Sequence, residues 1–319
     1  MAWEPTWYDR RHGMTGTIRG ALMTDRDDQN WTHAFFGDTR VGSDPGAWDP
    51  AMIRETMRRM DWMYGEGLSY FRPTIDGLDR IPQAPTLLVA NHSGGTSIPD
   101  VWGLMMCWYR RFGDTRPIHP LAHEMVFSLK ATAVLFSRMG VLRASPKIGD
   151  DVLLKHGRDL LVMPGGDLDT WRPFSERYKV RFAGRKGYAR LALRTGVPIV
   201  PVAHAGAHHT LFVLSDGRKL ADRLGLHRRF RARIFPVHLS LPWGIGVGPL
   251  PHWPLPARLR YLVGSPISVA PVGQRFQEPP DALVDEFDAK VRHAMQLLLD
   301  ELKETSPLRR ARRAIRSLL

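Results

Sequence analysis

Cysteine is nearly absent from this 319-residue chain: the single one is Cys107. That excludes an internal disulfide framework and suits a reducing cytoplasm. No apolar run approaches the roughly 20 residues that a membrane span requires; if the protein works on lipid, it must lie on the membrane rather than cross it. The opening stretch, MAWEPTWYDRRHG, has no apolar signal core, and no secretory peptide is expected. A Gly-x-Ser-x-Gly elbow is missing, so no serine nucleophile of that kind is available. Gly-x-Gly-x-x-Gly is missing after the early strands, which argues against a dinucleotide site. There is no internal repeat and no low-complexity segment. Acidic residues are the scarcer charge, 32 against 45 Lys and Arg, for a formal charge of +13. That balance favours anionic partners: nucleic acid, an anionic membrane surface or a phosphorylated substrate. The arginines are not interleaved with aromatics as in a known nucleic-acid module, so no nucleic acid is expected.

Hydrophobic residues make up 43% of the chain, enough for a sizeable core. The most informative stretch is Ala84 to Asp100, APTLLVANHSGGTSIPD. Thr86 to Ala90 form an uncharged apolar run that reads as a buried strand. Asn91 and His92 end it, and Ser93, Gly94 and Gly95 mark a tight loop. Ser97, Pro99 and Asp100 read as a helix start, with the helix running to about Tyr109. A histidine therefore stands at the C-terminal end of a buried strand, the edge where open α/β sheets bind ligands.

Residues 1 to 47 show no sustained period and read as a loop-rich arm. Asp49-Pro50 opens an amphipathic helix to Tyr64, with Met52, Ile53, Met57, Met60 and Met63 near one face. That face packs on the core, or meets acyl chains. Phe71 to Arg80 alternate and turn at Asp76-Gly77. Pro117 to Pro120 read as a connector and Leu121 to Gly140 as a helix, followed by Val141, Leu142 and Arg143. A short helix over Asp151 to Gly157 and a buried strand over Leu160 to Met163 lead into Pro164-Gly165-Gly166-Asp167, with Asp169 and Arg172 beyond. Those charges could contact a substrate or form an internal salt bridge. Tyr188 to Leu193 read as a helix. VPIVPV, Val197 to Val202, reads as a strand whose two prolines indicate an edge or a bulge. His204, His208 and His209, like His119 and His123, have spacings a metal could use, but no carboxylate or cysteine lies among them; they read as site-lining or structural, and no metal is expected. Arg228, Arg229, Arg231 and Arg233, beside Trp243, Leu250, Trp253 and Leu255, have the composition of an interfacial loop. Leu259 to Val263 read as a late strand and Asp281 to Leu302 as an amphipathic helix. The tail, residues 304–319, reads as a basic amphipathic helix.

Four of these blocks, in order, resemble the phospholipid/glycerol acyltransferase superfamily over roughly residues 70 to 270. Asn91-His92 followed by Asp100 resembles its first block, in which the histidine is the general base and the aspartate orients it. Seven residues separate His92 from Asp100 here, against a common spacer of four. The longer Gly-Gly spacer is similar to the diacylglycerol-acyltransferase-like branch. Gly140 to Arg143 resemble the second block, which implies a head-group role for Arg143. Pro164-Gly165-Gly166 stands where Pro-Glu-Gly is usual, a substitution similar to the branch that acylates neutral lipids. The strand with two prolines resembles the fourth block.

The resemblance implies an α/β fold: a single αβα-layered domain over 48–303, with a mostly parallel central sheet and amphipathic helices at the membrane side. It implies a cytoplasmic O-acyltransferase, peripheral on the inner face of the cell membrane. The enzyme would move a fatty acyl group from acyl-CoA or acyl carrier protein, as co-substrate and with no cofactor, to a hydroxyl of a glycerolipid. His92 is then the base and Asp100 its orienter. Ser93, Gly94, Gly95, Arg143, Pro164, Gly165, Gly166, Asp167 and Arg172 are the candidate substrate contacts, with amides near Gly165 and Gly166 holding the thioester oxygen. The alternative is a non-catalytic lipid-binding protein on a degenerate version of the same fold, which the longer His–Asp spacer favours.

Overall fold

The computed structural model describes residues 6–9, 14–17, 41–223, 234–269 and 275–305. Most of the N-terminal arm, the arginines at 228–233 and the basic tail beyond 305 lie outside them. Strands β1 (Thr6–Asp9) and β2 (Met14–Thr17) form an antiparallel pair. Seven strands make the central sheet: β3 (Thr74–Asp76), β4 (Leu87–Ala90), β5 (Ile118–Ala122), β6 (Leu142–Arg143), β7 (Asp159–Val162), β8 (Ile199–Ala205) and β12 (Arg260–Val263). Their order is β3-β12-β8-β4-β7-β5-β6, with every pairing parallel except β12 with β8. A separate antiparallel sheet joins β9 (Phe212–Ser215), β10 (Val237–Ser240) and β11 (Gly244–Val247) in the order β11-β10-β9.

Helices cover both faces, which is why the central strands are apolar throughout rather than alternating. Leu87 and Val89 of β4 pack into one core with α6 (Gly187–Thr195) and α8 (Asp281–Glu304). Leu88 and Ala90 point the other way, into a second core with α1 (Pro50–Tyr64) and α2 (Pro99–Phe112). The two-residue period of a strand thus divides one short run between two layers. The remaining helices, α3 (Lys130–Arg138), α4 (Pro146–Asp150), α5 (Gly166–Thr170) and α7 (Arg218–Arg223), are short. The fold is the expected αβα arrangement with a mostly parallel sheet.

Local departures have physical causes. Pro117 to Pro120 is mostly strand: β5 begins at Ile118, where full burial and parallel pairing with β7 override the prolines. Helix α3 therefore occupies only Lys130–Arg138 of the predicted Leu121–Gly140. β8 is interior, not an edge, since it pairs with β4 and β12. Its Pro201 is tolerated because the pairing with β12 ends at Val202–Val263, and only the Pro201 carbonyl is then needed, accepting from Gly264 N–H at 2.8 Å. Residues 237–247, read as part of a loop, hold two strands.

Candidate active site

The β4 strand delivers Asn91 and His92 to the carboxyl end of the sheet. Asn91 bridges to β8 through its side chain: Nδ2 donates to the His204 carbonyl at 3.0 Å, and Oδ1 accepts His204 N–H at 2.8 Å. The loop then turns through Gly94 and Gly95, at φ of 102° and 68°. Ile98 is also left-handed, at φ 41°, a strained conformation for a β-branched residue. This corrects the predicted helix cap. Helix α2 starts at Pro99 with no side-chain cap on Ile98, and Ser97 Oγ is engaged with the Gly94 carbonyl at 3.2 Å and with His252 Nε2 at 3.1 Å.

The left-handed entry turns Asp100 back under the loop, so the longer spacer still brings the pair together. His92 Nδ1–H donates to Asp100 Oδ2 at 2.6 Å. The same oxygen accepts Ser93 N–H at 2.8 Å and lies 3.2 Å from His204 Nε2. Asp100 is fully buried, whereas the His92 side chain retains 14% exposure. Helix α2 is pinned from behind: the Tyr261 hydroxyl donates to the Asp100 carbonyl at 2.7 Å. Gly103 leaves room for that hydroxyl, since a Cβ there would collide with it.

Burial works against a charged imidazole at His92, but the Asp100 charge and hydrogen bond, with a smaller contribution from Asp169, outweigh it; the His92 pKa is raised above its usual 6.5. Burial likewise opposes ionisation of Asp100, and His92, His204 and the Ser93 amide overcome it, so its pKa is lowered. His204 goes the other way. Burial pushes it down to about 4 despite Asp100, so it is neutral at pH 7. With its Nε2 protonated, a neutral His204 is a donor to Asp100.

The Pro-Gly-Gly-Asp turn supplies a second carboxylate that sequence spacing did not single out. Asp169 Oδ2 accepts the backbone N–H of His92 at 2.6 Å. Arg172 Nη1 lies 2.8 Å from Asp169 Oδ1, with both side chains fully buried. Arg172 also donates to the Lys179 carbonyl. Of the two sequence alternatives for these charges, the internal salt bridge is present, and Arg172 reaches the site through Asp169 rather than from an open surface. Gly165 is a packing requirement: a Cβ there would strike Asp169 Cβ and the Arg181 carbonyl. Gly166 N–H donates to the Met163 carbonyl at 3.1 Å, so that amide is engaged in a turn instead of being free for an oxyanion. Arg185 holds the turn from outside, donating to the carbonyls of Pro164 (3.3 Å) and Gly165 (2.9 Å) and to Asp167 Oδ1 (2.8 Å).

Arg143 is not brought to this centre. It lies on β6, three strands from β4, or about 14 Å at the usual ~4.8 Å strand spacing. It is buried, donates to the Val41 carbonyl at 2.7 Å, pairs with Glu124 and stacks on Phe127 at 4.8 Å. Ser93, Gly94 and Gly95 are buried and shape the loop. Gly95 is closely covered, since a Cβ there would meet His252 Cε1 and Leu211 Cδ2, each at 2.6 Å. Among the described residues, no group of three or more His, Cys, Asp or Glu could hold a metal ion.

An imidazole bound to a buried carboxylate at the carboxyl end of a sheet has the arrangement of a general base. Residues 72–205 match the family model described as Acyltransferase. An uncharacterized protein of Mycobacterium tuberculosis is 30% identical over 239 residues, covering 73% of this chain and 62% of that protein. A protein of Gallus gallus named "DGAT1/2-independent enzyme synthesizing storage lipids" is 27% identical over 236 residues, covering 74% of this chain and 61% of that protein. The chain thus spans somewhat under two thirds of the length of these curated relatives. Among solved structures, the 1-acyl-sn-glycerophosphate acyltransferase PlsC of Thermotoga maritima is similar, with a TM-score of 0.42 and 18% identity over 88% of this chain and 86% of that one. The matched segment runs from just before β3 to the end of β8 and encloses both His92 and the Pro-Gly-Gly turn, so the likeness to acyltransferases falls on the part of the chain that builds this site.

Proposed function

We propose that the chain transfers a fatty acyl group from a thioester donor, acyl-CoA or acyl carrier protein, to a hydroxyl of a glycerolipid or related neutral lipid. The observation that carries the reading is the 2.6 Å hydrogen bond from His92 Nδ1 to fully buried Asp100. It fixes the tautomer, leaves Nε2 as the base and stabilises the imidazolium as it forms. In the reaction, the acceptor hydroxyl loses its proton to His92 Nε2 as its oxygen attacks the thioester carbon. The new C–O bond forms, the C–S bond breaks, and the proton passes to the departing sulfur. No enzyme nucleophile is needed. Asp169, neutralised by Arg172, holds the His92 backbone and so fixes the ring's origin.

The acceptor class follows from Pro164-Gly165-Gly166. Without a glutamate at Gly165, and with Arg143 engaged elsewhere, a phosphomonoester head group has fewer ligands here. Relatives named as storage-lipid enzymes fit a neutral acceptor. Among the described residues no helix is long and apolar enough to cross a membrane. In this reading the lipid is met at the membrane surface, on the inner face of the cell membrane. The hydrogen-bonded carboxylate weighs against a degenerate, purely lipid-binding protein.

The test is thiol release from acyl-CoA and from acyl carrier protein with a panel of acceptors. Release that depends on a monoacyl- or diacylglycerol and exceeds that with lysophosphatidate is expected. Release only with lysophosphatidate would overturn the acceptor assignment, and no acceptor-dependent release would overturn the function.

A further inference from the structure

The sheet of β9, β10 and β11 has two unlike faces. One is packed on the site: His238 lies 5.3 Å from the Trp171 ring, and Trp171 lies 6.1 Å from His252. His252 in turn bonds Ser97 of the histidine loop, and Thr96 Oγ1 donates to the Leu250 carbonyl at 3.3 Å. The opposite face is apolar and exposed. Leu239 pairs across strands with Ile245, and Val237 with Val247. Leu241 bridges to Trp253 beside them. The outward residues Leu214, Leu239, Leu241, Ile245, Val247 and Trp253 are 42–72% exposed, and Trp243 in the β10–β11 turn is 51% exposed. A sheet normally keeps its solvent face polar; here β10 and β11 turn His238, Ser240 and Gly246 inward and their apolar residues outward.

Charge singles out the same segment. From Ile234 to Ala257 there is no Asp, Glu, Lys or Arg, in a chain that is 24% charged. The nearest charges in sequence are all cationic, Arg233 on one side and Arg258 on the other. An uncharged apolar segment that presents two exposed indoles and is flanked in sequence by arginines is complementary to an anionic bilayer, with apolar side chains for the acyl region, indoles for the headgroup layer and cations for phosphate.

We infer that the outer face of the β9–β11 sheet docks this protein onto an anionic lipid surface, with the inner face of the same sheet carrying the histidine loop. This rests on the lipid-acceptor reading above and adds the surface through which the acceptor is reached. Because His252 and Trp171 tie the sheet to Gly95 and Ser97, a bilayer against the outer face would be separated from the His92 loop by this one sheet and the side chains on its inner face.

The test uses the full chain and its Leu239→Thr/Ile245→Thr variant, which keeps β-compatible side chains and alters two exposed residues on the outward face. Binding to phosphatidylglycerol/phosphatidylcholine vesicles is measured by flotation, oligomeric state by analytical ultracentrifugation, and thiol release with a water-dispersed short-chain monoacylglycerol. The wild type should bind anionic vesicles, weaken in high salt and sediment as a monomer. The variant should bind at least tenfold more weakly while matching the wild type on the dispersed acceptor. Unchanged vesicle binding by the variant, absence of wild-type binding, or a dimer that the variant abolishes would each overturn the assignment; in the last case a second copy covers the face. Loss of thiol release in both proteins would instead defeat the acyl-transfer reading.

Discussion

Replacing Asp100 by Asn separates two roles that a buried carboxylate at a helix start could have. A structural aspartate would leave the titration of His92 unchanged. Here burial is the largest influence on His92 and opposes protonation, and the Asp100 charge reverses it. Removing a charge whose oxygen lies 2.6 Å away should therefore drop the His92 pKa from above 6.5 to below it. Opposite charges at such range shift a pKa by about 1–3 units, or roughly 1.4–4 kcal/mol. Because the base works unprotonated, activity rises as pH passes the His92 pKa. The acid limb of the kcat/KM profile should lie above pH 6.5 in the wild type and move acidward in Asp100→Asn. Loss of the imidazolium's counter-charge should also lower kcat by about 10²–10⁴-fold. The assay is acceptor-dependent thiol release from pH 5 to 9, with circular dichroism to show that the fold is kept. A lower kcat on an unmoved acid limb would refute the reasoning.

Three further outcomes follow from the packing around this pair. Arg172→Met leaves Asp169 buried without its counter-charge and should cost about 3–5 kcal/mol in urea unfolding; adding Asp169→Asn should recover part of it, and equal stability of the single and double variants would contradict the pairing. Gly165→Ala drives a methyl into Asp169 and the Arg181 carbonyl and should lower both Tm and kcat, whereas unchanged activity would show that the turn does not set the Asp169 position. His204 has a folded pKa of about 4 against 6.5, so its protonation penalises the folded state and stability is lost as pH falls from 6.5 towards 4. His204→Gln should remove about 3 kcal/mol of that acid sensitivity in unfolding titrations; an unaltered pH dependence would show that His204 is not the neutral donor to Asp100.

The strand, the glycine loop and the helix around His92 were legible because each has a local signal: an uncharged run, two adjacent glycines, and Pro99 opening an apolar segment. The His92–Asp100 pair was legible by resemblance, but the geometry that makes the longer spacer workable was not. It depends on Ile98 adopting a left-handed conformation that no propensity favours. Asp169 could not be distinguished from Asp167 by spacing, because its partner is a backbone amide 77 residues earlier. Arg143 follows the expected pattern in sequence, yet the strand order carries β6 to the sheet edge and away from β4. The β10–β11 strands were masked by prolines and glycines, although His238-Leu239-Ser240-Leu241 holds the two-residue alternation of a strand.

The central claim, that one imidazole removes the proton of the acceptor hydroxyl, is tested most directly by His92→Ala in acceptor-dependent thiol release from acyl-CoA, with the fold verified by circular dichroism and thermal melting. A folded variant whose kcat is at least about 10²-fold lower, the lower range for loss of a general base, is the predicted result. A folded variant that turns over at a rate near that of the wild type would contradict the account.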